Sequence, residues 1–168
     1  MTRHAAPEAR LAARLRRREL LAAVLAAGLT APTTALGEDR DGDIVTALIA
    51  REEAAAYAYR GLRLPGLGDP AGQDGEHVKA LRTQLQALGR GTPPIGVDDL
   101  DAAARRLSEA STRDDRHAAA VALEIDLLAR YREAVLGLTE PAILQTVATV
   151  LACHAQRRAL LSPASYSQ

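Results

Sequence analysis

The chain has 168 residues with 21 basic and 21 acidic side chains, giving a formal charge of zero, and 48% of it is apolar, with no Phe, no Trp and four Tyr. The apolar share comes mainly from Ala and Leu, which lead the helix-propensity order, while the aromatic residues that strands favour are scarce, so the composition predicts an all-α protein. With neither a basic stripe nor a stacking platform, nucleic acid is excluded as a partner, and the single cysteine, Cys153, excludes an internal disulfide or a CxxC motif.

Six of the 21 basic and two of the 21 acidic residues fall within residues 1–35, leaving 15 against 19 beyond them. Arg16-Arg17-Arg18 stand just before the apolar run of residues 20–29, which is followed by small residues as far as Thr33 and Ala35. That is the layout of an export signal cleaved after Ala35. The run is about half the roughly 20 residues a membrane span needs, so no stable span is expected once the signal is removed. Arg17-Arg18-Glu19-Leu20-Leu21 resembles a twin-arginine export signal without the Ser and Phe usual in that pattern. The division is therefore a signal at 1–35 and a folded domain at 36–168, exported to a periplasm-like space, the cell envelope or the medium. The alternative is a cytoplasmic protein beginning with an amphipathic helix.

A first long helix is predicted over residues 41–63, with Ile44, Leu48, Ala55, Tyr59 and Leu62 on one stripe. The Pro- and Gly-rich residues 64–75 read as a flexible loop. A second helix follows with His77, Leu81, Leu85 and Leu88 on one face, stopping at residues 89–94. A long connection over 91–115 holds a short helix at 99–110. A third long helix spans 116–138 with the stripe Val121, Ile125, Leu128, Tyr131 and Val135. Thr139 is expected to cap the last helix and Pro141 to occupy an early position in it. Ile143, Val147, Val150, His154 and Leu161 then line its buried face. Two helical pairs, each closed by a shorter turn and linked by one connection of about 25 residues, predict an antiparallel four-helix bundle with one long crossover between the second and third helices.

Particular segments carry a family resemblance. Residues 50–59, reading Ala-Arg-Glu-Glu-Ala-Ala-Ala-Tyr-Ala-Tyr, are similar to the first helix of bacterial ferritin-like domains, including exported actinobacterial-type ones. Residues 76–81 and 88–94 resemble the second helix and following loop of the branch called desiccation-related. Leu123-Glu124, with Tyr131 seven residues after the Glu, resembles the third helix, and residues 150–157 lie where such proteins read Glu-x-x-His. The resemblance covers about residues 41–161.

What it implies is a metal centre in which one helix pair gives a Glu each and the other gives Glu-x-x-His, whose i and i+3 positions share a helix face. Glu52 and Glu124 match the single carboxylates. Asp74 and His77 match one pair, on the loop side of a fraying helix start, and His154 and Arg157 stand where the other pair belongs. Arg cannot ligate and carries a fixed positive charge. Two divalent ions would bring four positive charges against three carboxylates and Arg157, a poor balance. One ion held by Glu52, His77, Glu124 and His154 is chemically sensible, as mixed carboxylate and imidazole ligation suits Fe, Mn or Zn. The competing reading is a metal-free bundle in which Arg157 pairs with Glu124 or Glu52.

Glu53, Asp126 and Glu133 read as solvated helix charges pairing with Arg neighbours at i+4. Cys153 reads as a small core residue, and Tyr57, Tyr59 and Tyr131 as core fillers. No catalytic residues or organic cofactor are assigned. The functional expectation is an exported, non-enzymatic binding or structural module with a vestigial metal site. The alternative is a mononuclear or weakened di-iron metalloprotein acting as an oxidase, in peroxide handling or in metal storage. A homodimer is compatible with the sequence, and no protein partner is specified by it.

Overall fold

The computed structural model describes residues 35–64, 66–91 and 101–162. Among them the regular elements are all helices: α1 (Ala35–Tyr59), α2 (Pro70–Ala87), α3 (Ala102–Glu109), α4 (Arg113–Gly137) and α5 (Pro141–Leu160). None of these is long and apolar enough to cross a membrane. The export signal at 1–35 lies outside the described residues except for Ala35, the first residue of α1, and so do residues 92–100 of the long connection.

Helix ends differ from the sequence expectation wherever a capping side chain lies outside the apolar repeat. The stretch 64–75 is not all loop, because α2 already begins at Pro70: the Asp69 carboxylate accepts the Gly72 N–H at 3.0 Å and Pro70 takes the first helical position. A cap of this kind is worth about 1 kcal/mol, comparable to the cost of one helical glycine. Asp74 is consequently held in a formed helix rather than at a frayed end. Helix α1 starts before residue 41 and stops at Tyr59 rather than 63, where Gly61, at φ +76°, turns the chain. Helix α3 is capped by Asp101, which accepts the N–H groups of Ala103 and Ala104 at 3.0 and 2.8 Å. Thr112 caps α4 three residues ahead of the expected start, accepting the Asp115 N–H at 3.1 Å.

Thr139 is not the cap of α5. Residue Glu140 holds that position and makes no side-chain bond there. The capping carboxylate comes from α1: Asp41, 1% exposed, accepts the Thr139 N–H at 3.1 Å, the Thr139 hydroxyl at 3.0 Å and the Glu140 N–H at 2.7 Å.

The buried face of α4 also departs from the predicted stripe. Ala120, Leu123, Glu124, Leu127, Tyr131 and Ala134 are buried, whereas Ile125 is 52% exposed and Val121, Leu128 and Val135 are half-buried. Apolar residues surround most of α4, so periodicity alone leaves its rotation open. Glu124, which must find partners inside, selects the face. In α5 the inward line is the expected Ile143, Val147, Val150 and His154, continued by Arg157. Tyr57 is not a core filler: it is exposed, with the Arg60 guanidinium 5.6 Å from its ring centre.

Helix α1 packs on α2, α4 and α3; α5 packs on α4 and α2; α3 also lies on α4. Arg51 ties this junction, its guanidinium lying 2.5 Å from Asp101 and 3.5 Å from Asp126. Apolar burial divides into two clusters. One gathers Ala55, Tyr59, Leu107, Leu123, Leu127 and Leu161. The other gathers Ile49, Leu81, Leu85, Tyr131, Ile143 and Val147. Between them lie Glu52 along α1 and His154 and Arg157 along α5, joined from α4 by Glu124 beside Leu123 and Leu127, and that polar layer is the candidate site.

If Asp41 is the working cap of α5, Asp41→Ala will lower unfolding free energy by about 1–2 kcal/mol in urea titration, and Thr139→Ala by less than half as much. Equal losses would return the capping role to Thr139.

Candidate functional site

Helices α1 and α4 each carry a glutamate followed seven residues later, two turns along the same face, by a tyrosine. The pairs cross: the Tyr59 hydroxyl donates to Glu124 Oε1 at 2.7 Å and the Tyr131 hydroxyl donates to Glu52 Oε1 at 2.7 Å. Helix α5 sends His154 between the two carboxylates, with Nε2 2.7 Å from Glu52 Oε1 and Nδ1 2.9 Å from Glu124 Oε2. One turn on, Arg157 donates from Nη1 to Glu124 Oε1 at 3.1 Å and from Nη2 to Gln73 Oε1 at 3.1 Å. The same Nη2 lies 2.7 Å from Asp74 Oδ1. From α2, His77 Nδ1 approaches Glu52 Oε2 at 3.0 Å and Asp74 Oδ1 at 3.8 Å. Glu52, Asp74, Glu124 and His154 are wholly buried and Arg157 is nearly so.

The protonation states follow from this geometry. A neutral imidazole has one N–H, but both ring nitrogens of His154 face carboxylate oxygens, so both must donate and the ring is an imidazolium. Burial pulls the His154 pKa down, yet the hydrogen bonds to Glu124 and Glu52 outweigh it and raise the value to about 9. Burial pushes Glu52 up, but His154 and His77 overcome it and hold the carboxyl at about 2. Glu124 is likewise lowered against its burial, by the His154 bond and Arg157. Asp74 goes the other way: burial lifts it to about 7, with Arg157 offsetting only part of the rise. Its ion pair with Arg157 lacks hydrogen-bond alignment, and both its oxygens are buried without a hydrogen bond among the described residues. Tyr59 and Tyr131 are raised by burial and by the carboxylates they face, so they stay protonated and donate.

All six residues singled out for a metal centre, Glu52, Asp74, His77, Glu124, His154 and Arg157, therefore meet in one network. They are not equivalent towards a cation. Glu52, Asp74, His77 and His154 each present a ligand atom within 4.8 Å of one another. Glu124 falls outside that group, on the far side of His154, where Tyr59, His154 and Arg157 occupy its oxygens. Two carboxylates and two imidazoles fit one ion of the Zn, Fe or Mn type, provided His154 gives up a proton. Arg157 opposes a second ion beside this group, because it brings a positive charge it cannot release to both Asp74 and Glu124.

Sequence reasoning missed Tyr59 as a partner of Glu124 and Gln73 as a partner of Arg157. The first had a signal, the seven-residue Glu-to-Tyr spacing repeated in α1 and α4. Gln73 had none, since its role depends on where α2 starts. Around the site, Asp126 has Arg130 at i+4 as expected, 3.9 Å away, but Glu133 pairs backwards to Arg130 at 3.5 Å, and Glu53 pairs with Arg82 of α2 instead of its own helix. Cys153 is a half-buried free thiol.

Comparison with protein-family models, curated proteins and solved structures finds no match for this chain.

The titrations set a pH profile. Glu52, lowered from 4.5 to about 2, contributes stability above pH 4.5 that is lost as pH falls. His154, raised from 6.5 to about 9, contributes below pH 6.5, and this is lost as pH rises through 9. Asp74, raised from 3.8 to about 7, costs nothing below pH 3.8 and its full penalty above 7. Urea midpoints should accordingly be highest near pH 4.5 and decline from there towards pH 9, with Asp74→Asn removing the decline between pH 4.5 and 6.5 and leaving a plateau there. A midpoint that climbs steadily from pH 5 to 9 would contradict these assignments.

Proposed function

We propose that residues 36–168 form an antiparallel four-helix bundle of the ferritin-like kind, exported by the twin-arginine-like segment at 1–35, and that it acts as a non-enzymatic binding or structural module. In it, the metal centre of such bundles is replaced by two resident cations, His154 and Arg157. The observation that carries this reading is the position of His154, whose two ring nitrogens bridge Glu52 and Glu124 at 2.7 and 2.9 Å. An imidazolium there neutralises the carboxylates that would otherwise demand a metal, and Arg157 supplies the second positive charge. The bundle is supported by the ring of contacts α1 to α2, α2 to α5, α5 to α4 and α4 to α1, and by the crossed Glu and Tyr pairs, in which later positions on α1 meet earlier positions on α4. The oxygens of Glu52 and Glu124 are all engaged by His154, His77, Tyr131, Tyr59 and Arg157, which favours a structural role for these two carboxylates over catalysis.

A second reading rests on Asp74. Its buried oxygens without hydrogen bonds would be satisfied by one divalent cation shared with Glu52, His77 and His154, giving a mononuclear metalloprotein. Such an ion would supply Lewis acidity or, as iron or manganese, redox chemistry. The chain's own part would be to hold two carboxylates and two imidazoles around it and to keep Glu124 with Arg157.

Rebuilding Glu-x-x-His separates the two. The wild-type chain, purified and incubated with Fe(II), Mn(II) or Zn(II), should retain no stoichiometric metal, while His154→Glu with Arg157→His should retain one or two ions per chain by elemental analysis. Wild-type binding of one ion, abolished by Asp74→Ala and by His77→Ala but kept by Glu124→Gln, would establish the second reading instead. Failure of the rebuilt variant to bind metal while remaining helical would count against the ferritin-like kinship. For export, N-terminal sequencing of the protein from its native host should begin at residue 36; an intact Met1 in the cytoplasm would refute that part.

A further inference from the structure

Helix α4 has a second apolar line, on the side away from the polar layer. Ala118, Ala122, Ile125, Ala129, Arg132 and Leu136 recur at alternating spacings of four and three, the repeat of a coiled-coil seam. Ile125 is 52% exposed and Leu136 is 88% exposed. The neighbouring outer surface of α5 continues the character with exposed Ala148, Ala152 and Ala155, whereas the outer face of α2 carries Glu76, Lys79, Thr83 and Gln86. Ile125 and Leu136 are two of the four large hydrophobic side chains exposed among the described residues, the others being Tyr57 on α1 and Leu160 at the end of α5, and they are the two that share one helical line. Small side chains at three of the six positions let a second helix approach closely.

The charges select the occupant. Asp114, exposed at the start of α4, lies on this side of the helix nine residues before Leu123, and Arg132 lies nine residues after it. Neither forms an ion pair among the described residues, although nearby Arg130 pairs with both Asp126 and Glu133. Two copies of α4 laid antiparallel about a two-fold axis near Ala122 and Ile125 put Ala118 against Ala129, Ala122 against Ile125, and Arg132 beside the partner's Asp114. A parallel pairing would stack Arg132 on Arg132. A line whose opposite charges lie within one residue of equidistant from its centre is complementary to itself, which is the requirement of an isologous interface.

We infer that the outer face of α4, flanked by α5, is the interface of a symmetric homodimer in which the two α4 helices cross antiparallel with their Arg132 and Asp114 side chains paired across the axis. This stands independently of whether the polar layer holds a metal.

Sedimentation velocity of the full chain from about 1 to 100 µM tests it. The wild type should sediment as a dimer, and Ile125→Arg, which places two like charges at the centre, should raise the dimer Kd by more than about 100-fold with an unchanged helical CD spectrum. Arg132→Asp should weaken association about tenfold, and adding Asp114→Arg should bring it back to within about threefold of wild type. Gln86→Arg on the polar face of α2 should change nothing. A wild-type chain that stays monomeric at 100 µM, whether or not it binds lipid vesicles or another protein, would overturn the inference. So would a dimer indifferent to Ile125→Arg, or single charge reversals that the double reversal does not rescue.

Discussion

Two carboxylates, Glu52 and Glu124, are shut away from water on facing helices, and the arrangement around them follows from the need to neutralise them. An ionised carboxylate moved into an apolar interior costs several kcal/mol unless charge and hydrogen bonds are returned to it. His154 returns both at once, with one N–H for each carboxylate, and it can do so only as an imidazolium. Tyr59 and Tyr131 add a neutral donor to each oxygen pair, and Arg157 adds a second cation on the Glu124 side. The polypeptide thus supplies two positive charges of its own to a carboxylate-rich helical interior.

This constraint acts on packing as well as on charge. The polar layer parts two apolar clusters, and an apolar surface of Ala, Leu and Val alone would tolerate sliding of one helix along another. The crossed Glu and Tyr pairs do not. Moving α4 by one turn against α1 would separate both hydrogen bonds together and leave two buried carboxylates short of donors, so the network selects a single register. Asp74 is the member least provided for. It shares Arg157 but has no aligned hydrogen bond, and burial lifts its pKa to about 7, the mark of a carboxyl for which the surroundings offer too little. A cation or hydrogen-bond donor drawn to this layer would find its unsatisfied acceptors at Asp74.

What could be read in the sequence divides along physical lines. Helical content was legible because Ala and Leu dominate the apolar residues. The inward face of α5 was legible because Ile143, Val147, Val150 and His154 fall on one line whose neighbours, Leu144 and Leu151 apart, are mostly small or polar. The rotation of α4 was not, since Ile125 and Leu128 are as apolar as Leu123 and Leu127, and only the partners of Glu124 decide between them. The start of α2 was obscured by Gly72 and Gly75, whose propensity cost is local and visible, while the Asp69 cap and Pro70 that offset it were read as parts of a loop. The cap of α5 could not have been found locally, because Asp41 is 98 residues from Thr139 in sequence. As for the polar layer, carboxylates and imidazoles inside apolar stripes announced themselves by cost alone, but which of them touch one another depended on three-dimensional partners such as Gln73 and Tyr59.

The central claim is that His154 is a permanent cation shared by Glu52 and Glu124, and the most direct measurement is the nitrogen-15 NMR of its ring in the metal-free protein across pH 5–10. The account predicts that both Nδ1 and Nε2 carry protons at pH 7, with hydrogen-bonded shifts, and that the ring loses its proton only near pH 9. A neutral imidazole at pH 7, with one ring nitrogen unprotonated, would contradict it.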